Sequence, residues 1–366
     1  MKTFNTLVAV SCAALMASTA SVRAASMDDL VKAAKAEGEL TVIALPHSWC
    51  NYGGALEAFK AKYGLKVNEL NPDAGSGDEV EAIKANKNNK GPQAPDTIDV
   101  GLSFGPTAKK DGLLQPYKVS TWDSIPDSAK DADGFWYGDY YGVMSLLVNK
   151  DLVKEAPKDW ADLQKPEFAN MVSLAGDPRT ANQAVSAVFA AGLAAANGDV
   201  SKAGDAGLAF FKDLNAKGNF VPVIGKAASF AQGTTPIIAA WDYNAISWGD
   251  SLNGNPPYEV VVPQNGVVAG VYVQAISAYA PHPNAAKLWM EYLYSDEGQI
   301  EWLKGYCHPI RFNDLAKANK IPADLMKKLP PAAGYAKAVF PTLDQQAAYK
   351  KAITEQWDKV VGANVQ

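Results

Sequence analysis

The stretch IIAAWDYNAIS, residues 237–247, sets an apolar run directly before an acidic and aromatic tetrad. A short apolar run of this kind is typical of a buried strand, and in an open α/β sheet ligands bind just beyond the carboxyl ends of the strands. In the tetrad, Trp241 and Tyr243 flank Asp242, and Asn244 follows. These side chains offer a charge and π faces to a small cation. The alternative is a packed aromatic corner in which Asp242 caps the next helix.

The first 24 residues predict a secretory signal peptide. Lys2 gives a short positive start, residues 7–17 are apolar, and small residues precede an expected cleavage after Ala24. Without Lys2 and Arg23, Lys+Arg falls from 34 to 32 against 39 Asp+Glu, which leaves a net charge of −7. A mildly acidic, exported chain without a basic stripe argues against nucleic acid as a partner.

Cys50 and Cys307 are the cysteines that remain after this cleavage. An exported protein meets conditions in which disulfides persist, and an even number of cysteines permits pairing. We therefore expect a disulfide that closes a loop of roughly 250 residues. Two unpaired thiols are the alternative.

Strand and helix patterns alternate from residue 39 onward. Strands are expected at 39–45, 65–70 and 96–104, with helices at 55–63 and 78–87 between them. This β-α-β-α-β order predicts a parallel sheet with crossover helices. A second β/α unit is expected at about 148–265, and a mature chain of about 340 residues favours two lobes. A strand at 143–149 follows an aromatic-dense segment, 134–142, in which Tyr140 and Tyr141 are expected to pack at a hinge.

Three segments resemble a known family. Residues 157–163, PKDWADL, resemble the P-x-x-W-x-D-L signature of family 1 extracellular solute-binding proteins. Residues 283–289 together with 295–299 resemble the helix pair P-x-A-A-x-x-F/W and S-x-E-G-Q of the same family, and DGLLQPY at 111–117 also matches. The tetrad resembles the spermidine/putrescine-binding branch.

The resemblance implies an α/β fold of the type II periplasmic binding protein class, in which two α/β lobes joined by hinge strands enclose a ligand cleft. It assigns residues 25–147 and 266–366, with the C-terminal helices, to the first lobe and residues 148–265 to the second. It further implies a monomer in the periplasm that captures a small solute by lobe closure and delivers it to an inner-membrane ABC permease with its ATPase. Relatives carry iron, thiamine or phosphonates, but the iron pattern needs adjacent tyrosines on the second lobe, where Tyr243 stands beside Asn244.

Loops that follow strands converge on the cleft of such a fold, and they supply the candidate ligand-binding residues. Trp49 and Tyr52 have ordinary packing as their alternative role. The candidates are Ser48, Trp49, Asn51, Tyr52, Ser76, Ser103 and Phe104 from the first lobe, and Arg179, Asn182, Trp241, Asp242 and Tyr243 from the second.

Arg179 bears most directly on the choice of ligand. It follows the turn at 176–178 into a helix, where backbone N–H groups attract anions, and a guanidinium binds carboxylates in a bidentate manner. If Arg179 and Asp242 both face the cleft, the ligand is a zwitterion such as an ω-amino acid, because a diamine would meet a like charge at Arg179. The alternatives are a polyamine ligand and an Arg179 that pairs with Asp177 or another acid.

Catalysis has little support in the sequence. His47, His282 and His308 lack metal-ligand spacing, Ser48 lacks the glycines of a nucleophile elbow, and no phosphate-binding or dinucleotide-binding glycine pattern is present. We therefore expect no cofactor, no metal and no enzyme activity. A structural or adhesive exported protein is a third class, but it would not need a hinged pair of β/α lobes.

Overall fold

A computed structural model describes residues 26–327, 329 and 337–366. The expected signal peptide, residues 1–24, lies outside the described residues. Helix α1, Met27–Glu37, begins at Ser26, whose hydroxyl accepts a hydrogen bond from the Asp29 N–H. It ends at Gly38, which adopts a left-handed conformation with φ 81°.

The first β/α crossover has the expected form. Strand β1, Glu39–Ile43, leads through α2, Tyr52–Tyr63, to β2, Lys66–Leu70, and β1 and β2 pair in parallel. Helix α3, Ser76–Ala85, then leads to β3, Thr97–Gly101.

The expectation of an all-parallel sheet is wrong at β3. This strand pairs antiparallel with β9, Ala269–Ser277, which returns from the other half of the chain. A pairing across about half of the chain depends on the final topology and leaves no local signal in the sequence. Helix α4, Phe104–Lys110, and the short β4, Leu114–Gln115, follow β3.

The central strand, β5, runs through both halves of the molecule. It spans Tyr137–Asn149, so it begins before the strand expected at 143–149. Residues 137–143 pair with β9, whereas residues 144–149 pair with β7, Ile237–Trp241, and β8, Tyr258–Val261. Residues 137–142 of the aromatic-dense segment belong to the strand, because their tyrosines favour extended backbone and are largely buried.

The second half of the molecule packs helices against β7. Strand β6, Val172–Leu174, pairs in parallel with β7. Helices α5, Asn182–Ala195, and α6, Val200–Ala216, lie in this half with α7, Ala227–Ala231, and α8, Asp242–Ser251. Within the described ranges no single helix is long and apolar enough to cross a membrane. Helices α5 and α6 together reach the length and apolar composition of a membrane-crossing segment, but they are bent by 105° relative to each other.

The C-terminal third is helical, as the sequence predicts. It contains α9, Pro283–Leu293, α10, Asp296–Lys304, β10, His308–Pro309, α11, Phe312–Lys317, α12, Ala323–Met326, and a C-terminal helix, Leu343–Val360.

The C-terminal helix packs on the second half of the molecule. The rings of Phe189 in α5 and Tyr349 stack with centroids 3.9 Å apart, and Phe211 in α6 lies 5.8 Å from Trp357. The sequence-based assignment of all of 266–366 to the first lobe does not match this packing, because the apolar positions of the helix fit α5 and α6. The lobe limits at 147/148 and 265/266 stay predictions; β5 changes partners between Val143 and Met144.

The expected disulfide is confirmed. Cys50 and Cys307 are bonded and buried, with their Cα atoms 5.5 Å apart. The bond joins the loop before α2 to the turn after α10. The backbones also approach closely here, because a Cβ on Gly305 would lie 2.2 Å from the carbonyl carbon of Cys50.

Candidate ligand-binding cleft

A cavity of about 400 Å³ lies where the two lobes meet. This volume falls in the range of small-molecule sites. Across its edges the lobes touch through an ion pair between Lys226 Nζ and Asp73 Oδ2 at 2.9 Å. Ser247 Oγ donates to the Ser48 carbonyl at 3.0 Å, and α3 meets the turn before α5 through the Gly77 N–H. The cavity is therefore formed by lobes that are already in contact.

Asp99, in the middle of β3, is a buried acid of the cavity wall. Its Oδ2 accepts a hydrogen bond from the Tyr140 hydroxyl at 2.5 Å, and that hydroxyl in turn accepts from Trp49 Nε1 at 2.6 Å. Its Oδ1 is buried and has no hydrogen-bond partner among the described residues. Burial raises the pKa of Asp99 to about 7, although the hydrogen bond from Tyr140 and the nearby Tyr52 hydroxyl act in the opposite direction.

A second buried acid, Glu79 in α3, lies beside Asp99. Its Oε2 accepts the backbone N–H of Asp99 at 2.8 Å. Burial, and next the charge of Asp99, raise the pKa of Glu79 well above its usual range. Two buried carboxylates this close disfavour each other's ionised form, so a cation in the cavity would stabilise both.

The remaining charges of the cavity wall do not offset these acids. Lys226 is the only basic side chain in the wall that the structure describes. It is about half exposed (48%) and is engaged with Asp73 at the rim. The wall also carries the aromatic side chains Trp49, Trp248 and Tyr272. Acidic groups with aromatic faces suit a cationic group chemically.

Of the candidates from the sequence, the structure brings four to the cavity wall: Ser48, Trp49, Ser76 and Asn182. Ser48 and Trp49 belong to the loop after β1, Ser76 begins α3, and Asn182 begins α5. The loops after β1 and β2 thus meet the start of α5 from the other lobe, as expected for loops that converge on a cleft.

The tetrad lies beside the cavity, and Asn244 is its member in the wall. Trp241, Asp242 and Tyr243 are fully buried and do not line the cavity. Asp242 opens α8, and its Oδ1 accepts the N–H groups of Val143 at 3.1 Å and Tyr243 at 2.9 Å. This geometry matches the packed corner that the sequence left open, because the carboxylate is used on backbone donors.

Arg179 does not line the cavity. Its Nε donates to Asp177 Oδ1 at 2.8 Å, and its Nη2 donates to Asn364 Oδ1 at 3.0 Å and to the Val365 carbonyl at 3.2 Å. It also pairs with Asp358 at 3.3 Å. Arg179 therefore holds the C-terminal tail against the second lobe, and the pairing of Arg179 with Asp177 is the alternative that the sequence left open.

The other candidates also lie outside the cavity wall. The amide of Asn51 donates to Glu301 Oε2 at 2.8 Å, and the hydroxyl of Tyr52 accepts from Gln274 Nε2 at 2.7 Å. Ser103 and Phe104 are buried at the start of α4, where Lys350 Nζ lies 3.1 Å from the centre of the Phe104 ring. These four side chains make packing and network contacts within the protein.

Sequence reasoning missed several residues of the wall. Asp99 carried a usable signal, because an acid within the strand TIDVG, all of whose residues are buried, must have a specific partner. Gln183 and Tyr272 carried none, since a glutamine in a helix and a tyrosine in a strand are ordinary. The other wall residues outside the candidate set include Glu79, Asn244 and Trp248. Within the described ranges no group of three or more His, Cys, Asp or Glu side chains could hold a metal ion.

A family model described as bacterial extracellular solute-binding protein matches residues 94–334. Among curated proteins, the chain is 27% identical over 264 residues to a putative 2-aminoethylphosphonate-binding periplasmic protein of Salmonella typhimurium. The match covers 69% of this chain and 71% of that protein.

Solved structures share the fold. The periplasmic binding protein AfuA from Actinobacillus pleuropneumoniae, with fructose-6-phosphate bound, aligns with a TM-score of 0.68 at 23% identity, over 88% of this chain and 99% of that one. A putative spermidine/putrescine ABC transporter protein from Listeria monocytogenes aligns with a TM-score of 0.62 at 14% identity, over 88% and 99%. The predicted fold class, two α/β lobes of the type II periplasmic binding protein kind, is thereby confirmed.

Proposed function

The chain belongs to the family of bacterial extracellular solute-binding proteins, and we propose that the solute it captures for an ABC transporter is a small molecule that bears an amine. Members of this family are transport components that bind small molecules and work with a permease, and they are not enzymes. The proposal concerns the ligand, which in this family ranges over chemically different solutes.

The observation that carries the proposal is that Asp99, a residue of the cavity wall, has a buried Oδ1 without a hydrogen-bond partner among the described residues. A carboxylate oxygen without a donor in a buried site is costly. An ammonium supplies both the N–H donor and the positive charge that Asp99 and Glu79 lack. We therefore propose that the amine binds at Asp99, whereas the sequence pointed to Asp242.

The charges of the wall favour a diamine or polyamine over a zwitterion. Arg179, the expected seat of an anionic end, is engaged with Asp177 and the C-terminal tail. A diamine in the cavity would therefore not meet the charge of Arg179, and Lys226, the basic side chain that the described wall contains, is paired with Asp73 at the rim. The excess of carboxylates in the wall also favours a ligand with two or more positive charges.

An amino-acid-like zwitterion, such as an ω-amino acid, is the second candidate. Helices α3 and α5 begin at the cavity, with Ser76 and Asn182 in its wall. Helix N-termini attract anions, so an anionic end could lie there while the amine meets Asp99. The relative described as 2-aminoethylphosphonate-binding would, by that description, take such a zwitterion.

The setting of this activity is part of the proposal. The relatives are periplasmic proteins, and an exported, acidic chain fits that compartment. We place the protein there as a monomer that closes on its solute and delivers it to an inner-membrane permease coupled to an ATPase.

Isothermal titration calorimetry of the ligand-free protein tests the proposal. The compounds are putrescine, spermidine, 4-aminobutyrate, 2-aminoethylphosphonate and the uncharged 1,4-butanediol. We expect at least one amine to bind and butanediol not to bind. Asp99→Asn should weaken binding of that amine roughly 10- to 100-fold, because the site loses a charge-assisted hydrogen bond.

Glu259→Gln is the matched control, because it removes a carboxylate from an exposed ion pair, with Lys150, that lies outside the cavity wall. It should leave the affinity for the amine within about threefold, since exposed ion pairs contribute little. Failure of every amine to bind, or an Asp99→Asn protein that binds as tightly as the wild type, would refute the proposal.

A further inference from the structure

The orientation of the Gln183 side chain in α5 is fixed by backbone groups. Its Nε2 donates to the Ala175 carbonyl at 3.0 Å, and its Oε1 accepts the Trp241 N–H at 2.8 Å. Turning the amide over would set oxygen against a carbonyl and nitrogen against an N–H. Because backbone donors and acceptors cannot exchange roles, Oε1 must face the tetrad.

Gln183 in turn fixes Asn244. Its Oε1 also accepts a hydrogen bond from Asn244 Nδ2 at 2.9 Å. If Asn244 turned over, two amide oxygens would meet. Asn244 Oδ1 is therefore the end that is left over, and it is buried without a hydrogen-bond partner in the part of the chain that the structure describes.

Two residues of the cavity wall have a buried side-chain atom without a hydrogen-bond partner among the described residues. Buried side-chain atoms without a partner occur at several places in the described structure, but only Asp99 and Asn244 among those residues line the cavity. In both cases the unpartnered atom is an acceptor. Asp99 belongs to the first lobe and Asn244, in α8, to the second.

We infer that Asn244, held by Gln183, is a specificity-determining residue that accepts a hydrogen bond from the ligand and rejects an acceptor at the same place. The inference rests on the proposed function and narrows its ligand class. The ligand must present N–H donors to both lobes, as a diamine or polyamine does. A carboxylate beside Asn244 Oδ1 would leave two acceptors facing each other, which is unfavourable in a buried site.

Putrescine and 4-aminobutyrate test the inference, because they have the same chain length and differ in whether the second end is an amine or a carboxylate. The measured quantity is the ratio of the two dissociation constants. The wild type should prefer putrescine. Asn244→Leu should weaken putrescine binding roughly tenfold or more, since the acceptor is lost. Gln183→Met should reduce the preference for putrescine roughly tenfold, because the Asn244 amide can then turn its NH₂ group to the ligand.

Gln299→Met is the matched control, because Gln299 is also a buried glutamine that donates to a backbone carbonyl, Leu293 O at 3.0 Å, and accepts a backbone N–H, but it lies outside the wall. It should change neither dissociation constant. A purely structural role of Gln183 would weaken both compounds equally and leave the ratio as it was, which would overturn the inference. Should Gln183→Met fail to fold, an Asn244→Leu protein that binds putrescine normally would overturn it equally.

The results also separate this inference from the proposed function. If Asp99→Asn weakens amine binding while the Asn244 and Gln183 variants keep the wild-type ratio, only the inference fails. If the wild-type protein binds neither putrescine nor 4-aminobutyrate, the inference fails with its premise.

Discussion

Asp99 is an acid in a buried strand whose charge depends on what occupies the cavity. Burial raises its pKa to about 7, so near neutral pH the empty site holds the carboxyl partly protonated. The ionised form alone can pair with an ammonium. Proton binding and amine binding therefore compete at Asp99, and the charge of Asp99 links the neighbouring Glu79 to the same competition.

This competition predicts that amine binding tightens as the pH rises. Below the pKa of Asp99 the dissociation constant should increase about tenfold for each pH unit that is lost, and above it the value should level off. Calorimetry with putrescine between pH 5.5 and 8.5 measures the slope. Asp99→Asn should flatten the profile. A wild-type affinity that rises towards low pH would contradict the assignment of the amine to Asp99.

The same shift affects the stability of the empty protein, with a defined sign. The folded state binds the Asp99 proton more tightly than the unfolded chain, whose carboxyl has an ordinary pKa near 3.9. Between that value and about 7 the folded state holds the proton and the unfolded state does not. This group therefore makes stability fall as the pH rises through that window, and a bound cation offsets the loss.

At the level of single residues, the sequence predicted part of the site. Ser48, Trp49, Ser76 and Asn182 were found because loops after strands and helix starts are recognisable from local patterns. Arg179 lies outside the wall: its pairing with Asp177 was an open alternative in the sequence, whereas its other partners, Asp358 and Asn364, lie almost two hundred residues away in the chain. No local pattern reports such a contact.

Two elements, the end of β3 and the start of α5, approach closely across the cavity. A Cβ on Gly101, the last residue of β3, would lie 2.1 Å from Cγ of Asn182, the first residue of α5. Gly101 is not among the residues with positive φ, so alanine suits its backbone. The glycine is needed for the contact between the lobes and not for the strand.

Gly101→Ala should therefore fold normally and bind its solute poorly. On the proposal that the lobes close only on the solute, this contact forms in the closed state alone. Overpacking costs typically about 1–3 kcal/mol, so we expect the affinity to fall roughly tenfold or more while the melting temperature of the empty protein stays unchanged. Calorimetry and a thermal melt measure the two quantities.

The double variant Gly101→Ala with Asn182→Ala is the control, compared with Asn182→Ala alone. Removing the amide makes room for the new methyl group, so the alanine at 101 should then cause no further loss. A further loss in that background would show that the clash is not the reason.

At the scale of elements, the sequence predicted the helices and the β1–β2 crossover well, because their periodicity and caps are local. It did not predict that β3 pairs antiparallel with β9, or that β5 spans both lobes. Those features depend on which distant segment completes the sheet.

For the whole molecule, one covalent bond ties the N-terminal third to the C-terminal third. Cys50 and Cys307 are separated by 257 positions in the chain, and the bond closes the loop between them. Removing a native disulfide typically costs about 2–5 kcal/mol. The loop that it holds also carries Ser48 and Trp49 of the cavity wall.

Replacing both cysteines by serine should lower the free energy of unfolding by about 2–5 kcal/mol. Urea denaturation with and without reductant measures the change, and only the wild type should respond to the reductant. Equal midpoints for the wild type in both conditions would contradict a stabilising role for this bond.

The hydrogen-bonded row Trp49–Tyr140–Asp99 has a consequence for how the protein can be observed. An indole that donates to a phenol, which in turn donates to a titrating carboxylate, is placed next to a charge that changes with occupancy. Indole emission responds to nearby charge, so the fluorescence of Trp49 should report the state of Asp99. Solute capture should therefore change the emission of Trp49, which can be followed in real time without a label.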